Sequence, residues 1–537
     1  MLKPKVKKII SFILISIIGI FIGVAVSFYV FLKLSLPITE GKLELSGLSH
    51  PVEITYDRMG VPQIWAETTA DAYFALGYQH AADRMFQMDL ARRLAQGKLS
   101  EMLGSITVEI DIEQRQIGHY RLAAKALETL SEKNKQRLQA YTDGVNAYKN
   151  NCRALPFEYR FLPIDFEDWT IVDCLAFLSF QTWFSNSLMS RDEFYFSLFR
   201  KVGKEKAKSL FFEYPDWAPT TIPSKRQQLN IFDSLFLNDG KSYSSNMTPD
   251  KEKPVLPEDS KASLYQPFQR AIAQTLFDND NLPFQLTHSS NAWVIAPEKS
   301  ISGKAMLASD PHLELTRLPQ FWYAVGLHIK NDSVNVLGIT TPGLPFVIMG
   351  HNGQCAWAFT AGGLDITEYY VETINPENSN QYYTQDGWRE FELLKDSILI
   401  AGIDSFKTVT HKFSRNGLIV SEDKNLKAAY ALHWAGYDMD LNVAVTNAFH
   451  LHQIKNFEQF QKAVTNFGAL DANMMYADAD GNIGYQLTTP LPVRSDEKGY
   501  LPVNESNNDN RWNGYYPLEE TPFMKNPQCG WLANCNN

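Results

Sequence analysis

Thr287-His288-Ser289-Ser290-Asn291-Ala292-Trp293-Val294-Ile295-Ala296 marks the point where the chain changes character. A polar, poorly patterned segment comes before it. The turn-like Pro297-Glu298-Lys299-Ser300-Ile301-Ser302-Gly303 and a second run, Lys304 to Ser309, come after it. β-Branched and aromatic residues on both sides of a Pro/Gly/Ser turn predict a β-hairpin whose first strand begins at Ser290. A serine at the start of a strand means little by itself. What gives it meaning is the rest of the chain.

The chain has 537 residues, of which 45% are hydrophobic and 20% charged, with a formal net charge of -10. That is globular composition with room for a large core. The acidic balance argues against a general nucleic-acid binder. Five cysteines, Cys152, Cys174, Cys355, Cys529 and Cys535, contain no Cys-x-x-Cys pair, so a zinc site or disulfide framework is not expected. Cys529 and Cys535 are close enough in sequence to bridge in an oxidising compartment.

Residues 1–8 are a basic segment with Lys3, Lys5, Lys7 and Lys8. The uncharged run Ile9–Leu32 that follows is long enough to span a bilayer. The lysines favour a cytoplasmic N-terminus, which puts the rest of the chain outside the cytoplasm, at a bacterial periplasm or outer face. The alternative is a cleaved signal peptide, which exports the same part. Next come short strands with a turn at Asp57-Arg58-Met59-Gly60. A helical pattern then runs from Asp71, a candidate N-cap, to Leu103, with Gly104 as its stop. Asp83, Arg84, Asp89, Arg92 and Arg93 on this pattern read as structural ion pairs rather than catalytic groups. Helical patterning continues through Ala123–Asn150 and Ile171–Arg200. Residues 214–289 are rich in Pro, Ser, Asp and Lys and read as a spacer or linker. His450 and His452 at strand spacing, with no third ligand nearby, suggest a solvated edge rather than a metal site.

A series of words then falls into one order. Asp57-Arg-Met-Gly-Val-Pro-Gln-Ile, Gly77-Tyr-Gln-His-Ala-Ala-Asp-Arg and Arg92-Arg93-Leu-Ala-Gln-Gly97 lie early. Ser290-Asn-x-Trp, Gly303-Lys-x-Met-Leu-Ala-x-Asp-Pro-His-Leu, Gly350-His-Asn-Gly353 and Phe359-Thr-Ala-Gly-Gly363 follow. Tyr476-Ala-Asp-Ala-Asp-Gly481-Asn-Ile-Gly-Tyr485, Pro492-Val-Arg494 and Gly530-Trp-Leu-Ala-Asn534-Cys-Asn536 close the series. The set resembles the penicillin acylase family of N-terminal-nucleophile hydrolases over roughly residues 43–212 and 290–537. The resemblance implies an α+β fold: an αββα sandwich of two antiparallel sheets between helical layers, with a helical α-chain region (33–213), a removed spacer (214–289) and a β-chain region (290–537).

It also implies chemistry. A serine hydroxyl is a poor nucleophile until a base takes its proton. In this family the base is the serine's own α-amine, freed when the precursor cuts itself, here between Ser289 and Ser290. An α-amine has a pKa near ~7.7–8.0 and is available at working pH. This suits a chain with no Gly-x-Ser-x-Gly elbow and no His-Glu-x-x-His signature. The resemblance makes Ser290 the nucleophile and the backbone N–H of Ala361 and the side-chain amide of Asn536 the oxyanion donors. It puts His312 beside the amine or the substrate. It assigns a structural Ca²⁺ to Asp365, Thr367, Glu368 and the carbonyl of Pro492, oxygen donors of the kind that ion takes. A further family calcium carboxylate aligns with Ser190, which is not an acid; Asp192 or Glu193 would have to substitute.

The implied activity is hydrolysis of a small N-acyl amide, a penicillin-like β-lactam or an N-acyl homoserine lactone, through an acyl-enzyme. The other reading is an inactive, membrane-anchored acylase-like binding or scaffold protein that does not cut itself. Family β chains extend well beyond the oxyanion Asn, whereas this sequence stops at Asn537, so the β-chain region is expected to be incomplete.

Overall fold

A computed structural model describes residues 4–162, 164–185, isolated positions between 198 and 222, 289–312, 320–423, 426–465, 467, 470–494, 499, 502–504 and 512–536. Helix α1 (Pro4–Leu34) comes first. One stretch in it, Phe12–Leu34, is long and apolar enough to cross a membrane, judged by length and composition alone. At 1.5 Å per residue it would reach about 35 Å, against a hydrocarbon core of about 30 Å.

The early strands β1 (Glu53–Tyr56) and β2 (Pro62–Ala66) form a hairpin around Asp57–Gly60, where Gly60 takes a positive φ of 78°. Helix α2 (Thr69–Gln96) takes Thr68, not Asp71, as its N-cap. The Thr68 hydroxyl caps Asp71 N, and the Asp71 carboxylate instead accepts from Thr68 Oγ1 and Ser49 N, tying the entry of the chain to the first turn. Left-handed Gly97 (φ 65°) ends α2, so the pattern to Leu103 splits into α2 and the single turn α3 (Ser100–Leu103), which Gly104 stops. Helices α4 (Val108–Ile117), α5 (His119–Thr129), α6 (Glu132–Asn151) and α7 (Ile171–Ser185) complete the helical part described here.

α2 and α6 cross at backbone contact. A Cβ at Gly77 would sit 2.0 Å from Tyr141 O, and one at Gly144 would sit 1.9 Å from Phe74 O. Neither neighbour can move without shifting a helix. Gly144→Ala is therefore expected to lower stability by about 1–3 kcal/mol. The check is the urea midpoint against wild type; an unchanged midpoint would show that the crossing is not tight.

After the helices come β3 (Ser289–Ile295), β4 (Met306–His312), β5 (Tyr323–Ile329), β6 (Val334–Thr340), β7 (Met349–His351), β8 (Cys355–Ala361) and β9 (Thr367–Thr373). A hairpin β10 (Gln381–Thr384) and β11 (Gly387–Glu390) leads into β12 (Glu392–Leu399), β13 (Phe406–Ser414), β14 (Gly417–Asp423) and β15 (Ala428–Trp434). Helices α8 (Leu441–Leu451) and α9 (Phe457–Val464) precede β16 (Ala472–Asp478), β17 (Ile483–Leu487), β18 (Val503–Asn504), β19 (Phe523–Lys525) and β20 (Trp531–Asn534).

A nine-stranded sheet runs β1-β2-β5-β6-β7-β8-β16-β17-β19, and a three-stranded sheet runs β20-β3-β4. Both are antiparallel except where β2 pairs β5 in parallel, a departure from the expected all-antiparallel sheets. The small sheet packs face to face on the large one through Ala292, Val294, Leu532, Met475, Ala477 and Tyr485. The other face of the large sheet is covered by α2, α6, α7, α8 and α9 around Trp169, Leu76, Tyr141, Phe457 and Tyr476. Three layers of the expected αββα order are thus present. Among the described residues no helix covers the outer face of the small sheet. A separate six-stranded sheet, β12-β13-β14-β15-β9-β18, grows from β9.

One expectation changes. His450 and His452 lie at the end of helix α8 rather than on a strand. His452 is buried and accepts from Val347 N at 3.0 Å, and its burial pushes its pKa down to about 3, so it is a neutral structural acceptor rather than part of a solvated edge. All five cysteines, Cys529 and Cys535 included, are free thiols.

Candidate active site

Side chains alternate along β3. Ser290 is half-buried on the face that also carries buried Ala292 and Val294, while exposed Asn291 and Trp293 point the other way. Ser290 therefore faces the large sheet, near the end of β8. Its backbone N donates to Asn536 Oδ1. That nitrogen is the peptide amide that joins Ser290 to Ser289. The Asn536 Nδ2 in turn donates to Ala361 O at 2.9 Å. A single amide side chain thus touches both other residues, and Ser290, Ala361 and Asn536 converge although they lie on three separate strands or strand ends. Asn536 holds a positive φ of 69°, which asparagine tolerates better than most residues.

The peptide at Ala361 is oriented by the ladder. Gly362 N bonds Asp471 O, so the alternation of an antiparallel pair turns Ala361's own N–H away from β16. Gly362 itself has no room for a side chain, because a Cβ there would meet Asp471 Oδ1 at 2.0 Å. Asp471 braces the loop that follows by accepting from Leu364 N at 2.9 Å and Thr489 Oγ1 at 2.8 Å, and burial pushes its pKa up to about 6.

Beneath the site lies a polar network that sequence reasoning missed. Buried Asn473 donates to Ala361 O at 3.0 Å and accepts from Tyr485 OH at 2.7 Å. Buried Asn534 accepts from Asn536 N at 2.8 Å and from Thr360 Oγ1, and donates to Thr221 Oγ1 at 2.6 Å. The signal in the sequence was an asparagine inside the fully buried strand Ala472–Asp478, where an amide needs partners. Thr221 belongs to the stretch 214–289, and Ile222 packs beside it on the small-sheet core. Most of that stretch lies outside the described residues.

His312 is placed differently. It pairs Ser289 in register, and its Nε2 lies 3.4 Å from Asn291 Nδ2 and 3.2 Å from Asp310 Oδ2. Alternation puts its ring on the face of the small sheet opposite to the Ser290 side chain.

The residues expected to hold a metal gather around a guanidinium. Arg494 Nε donates to Glu368 Oε2 at 2.9 Å, and its Nη2 donates to Thr367 O at 2.9 Å and sits 3.2 Å from Asp365 Oδ1. Both terminal nitrogens also reach Asp365 O at 3.2 Å. Trp512 Nε1 donates to Glu368 Oε2 at 3.1 Å. Burial pushes Glu368 up to about 8, with Arg494 opposing the shift and Asp365 adding to it. Pro492 sits two residues before Arg494, in an isolated bridge with Tyr515. Asp192 and Glu193 lie outside the described residues. One guanidinium thus engages Asp365 Oδ1, the Asp365 and Thr367 carbonyls and Glu368 Oε2. A cavity of about 770 Å³ lined by Trp65, Glu67, His328, Lys330 and Asn335 lies at the β2–β5 end of the large sheet, well away from Ser290.

The family model described as penicillin amidase matches residues 51–537. The chain belongs to the penicillin amidase family. It is 28% identical over 512 residues to penicillin acylase 2 proenzyme of Pseudomonas sp. (strain SE83), covering 94% of this chain and 61% of that protein. It is 29% identical over 514 residues to acyl-homoserine lactone acylase QuiP of Pseudomonas aeruginosa, covering 94% of this chain and 57% of that protein. Among solved structures, a thermostable penicillin G acylase from Alcaligenes faecalis is 29% identical, with 46% of this chain and 44% of that chain aligned and a TM-score of 0.42. The chain spans about three fifths of the length of the curated relatives it matches. Within this penicillin amidase chain, the ordered words of the sequence fall on the two packed sheets and on the helices behind them, except Pro492-Val-Arg494, which lies outside both.

Proposed function

We propose that the protein is a self-processing amidohydrolase that cleaves N-acyl amides, penicillin-like or acyl-homoserine-lactone-like, through an acyl-enzyme on Ser290. The observation that carries this reading is the link Ser290 N–Asn536–Ala361 O, which gathers the serine and both donor positions at one place. The family's relatives named as penicillin and acyl-homoserine lactone acylases support the substrate class.

In this reading water first hydrolyses the Ser289–Ser290 bond, leaving a carboxylate on Ser289, and the nitrogen held by Asn536 Oδ1 becomes an α-amine already oriented. The amine accepts the proton of its own Oγ as that oxygen attacks the substrate carbonyl carbon. The resulting oxyanion is met by Ala361 N–H and by the Asn536 amide. The C–N bond then breaks, the amine leaving group takes the proton, and an ester on Ser290 Oγ remains. Water hydrolyses that ester to a carboxylic acid and restores the hydroxyl. His312 acts here by holding the Asn291–Asp310 face of the hairpin rather than by touching Oγ. The segment through Ile222 remains docked on the small sheet after the cut. The N-terminal helix anchors the protein with its catalytic part outside the cytoplasm, and a further helical layer completes an αββα sandwich.

The test is intact mass and N-terminal sequencing of the detergent-purified protein beside Ser290→Ala. A new chain beginning Ser290-Asn291-Ala292-Trp293, absent from the variant, together with release of amine from an N-acyl substrate by wild type alone, is expected. A single chain of full mass in both samples would favour the non-catalytic, membrane-anchored scaffold instead.

A further inference from the structure

The Asp365–Glu368 turn sits directly after the Ala361–Gly363 segment, so whatever holds this turn also holds the candidate oxyanion backbone. Its inward oxygens are the Asp365 and Glu368 carboxylates and the Asp365 and Thr367 carbonyls, a set that by residue type would suit a hard divalent ion. One oxygen of each carboxylate and both carbonyls meet the guanidinium of Arg494. Nε takes Glu368, Nη2 takes Thr367 O, and both terminal nitrogens take Asp365 O. A planar fork with fixed donor directions matches such a spread of acceptors where a point charge would not.

The guanidinium is also enclosed. Its carbon lies 5.2 Å from the centre of the Trp512 ring, whose N–H donates to the same Glu368 oxygen, Oε2. Gly499 closes over it so tightly that a Cβ there would come within 2.6 Å of Nε. Arg494 is only 14% exposed. A calcium ion 2.3–2.6 Å from these oxygens would lie against a guanidinium making the same contacts, and like charges at that separation repel strongly. One site therefore holds one or the other.

We propose that Arg494 is a built-in cation that fastens the Asp365–Glu368 turn in place of a bound metal ion. The fold around Ala361 is then independent of calcium. A tethered cation cannot be extracted by a chelator or diluted away, which matters for a protein facing a medium of variable divalent content. The same guanidinium cross-links the turn to the Pro492–Arg494 and Trp512 segments, which arrive from the C-terminal part of the chain.

The experiment is thermal unfolding of the detergent-purified full chain in excess EGTA and in millimolar Ca²⁺. Terbium luminescence excited through tryptophan is read in parallel, with Trp512 as the neighbouring donor. Wild type is expected to melt at the same temperature in both buffers and to give no saturable terbium emission. Arg494→Ser is expected to melt roughly 5 °C or more lower, with the charge-keeping Arg494→Lys restoring only part of the loss, because a single ammonium cannot reach all the acceptors. The proposal is overturned if wild type takes up one terbium per chain, the emission disappears in Asp365→Asn, and chelation lowers its melting temperature. Should Arg494→Ser not fold, the wild-type comparison decides the matter alone. Both readouts are independent of amide hydrolysis, so a failure of the proposed reaction and a failure of this assignment are told apart.

Discussion

Asn536→Ala is expected to lower kcat on an N-acyl amide by about 10²–10³-fold, with KM changed far less. In the proposed reaction the donor it removes meets charge that exists only in the transition state, so ground-state binding has little to lose. The side chain also does a second job. Its Oδ1 accepts from Ser290 N and its Nδ2 donates to Ala361 O, so truncation releases the Ser290 nitrogen and the neighbouring peptide together. Slower precursor cleavage should accompany the loss of kcat. Asn536→Asp separates the two jobs: it keeps an acceptor for the Ser290 amine but removes both N–H donors and puts a negative charge beside the developing oxyanion. It should process better than Asn536→Ala yet turn over no faster. The assays are single-turnover acylation and the fraction of cut chain on a gel. A variant within a few-fold of wild type in kcat would remove Asn536 from the reaction.

What the sequence allowed one to read follows from the range of the interactions. The hairpin β3–β4 is local, and turn chemistry between Pro297 and Gly303 announced it, with the start of β3 within one residue and the end of β4 three residues beyond Ser309. Ser290, Ala361 and Asn536 were found by resemblance, and their convergence could not have been derived from spacing, because it depends on β20 pairing with β3, Trp531 opposite Ile295. For the Asn473 and Asn534 network the sequence offered only the buried asparagine, because Ala361 and Thr221, which help satisfy the two amides, lie far away in the chain. Arg494 stood in a quoted word but received no role, since a cation among calcium-type oxygens is visible only once Asp365, Glu368 and Trp512 are brought together. His452 went wrong through period. Two histidines spaced by two fit a strand, but the apolar positions Leu441, Ala444, Val445 and Ala448 carry the helical period that won. The N-cap moved from Asp71 to Thr68 because a threonine and an aspartate three residues apart form a reciprocal pair, and the hydroxyl holds the outer place.

The largest loss of stability is expected from Asp89→Ala, about 3–5 kcal/mol. Asp89 is fully buried and accepts from four donors on three residues: Arg92 Nε at 3.1 Å and Nη2 at 2.5 Å, Arg93 Nε at 3.2 Å and Tyr159 OH at 3.1 Å. The two arginines are almost as buried, and each spends its remaining donors on the chain that approaches α7. Arg92 reaches Glu167 O and Asp168 O, and Arg93 reaches Asp165 O. Arg92 also lies over Phe166 and Trp169, at 4.8 and 5.2 Å from the ring centres. Removing the carboxylate leaves two desolvated guanidinium groups with Asp173 at 3.9 Å and Glu101 at 3.4 Å as their nearest remaining counter-charges. Leaving buried charge unpaired costs more than the pair gained by forming, so deletion of one partner is the severe change. Asp89→Asn keeps the shape and some hydrogen bonds, and should lose less than Asp89→Ala. The exposed pair Lys330–Glu67, at 2.9 Å, is the control: Lys330→Ala should move the urea midpoint hardly at all, because solvent screens it. A fall below about 1 kcal/mol for Asp89→Ala would mean that water or Asp173 takes over the arginines, and that α2 is held to the α7 approach by its apolar face alone.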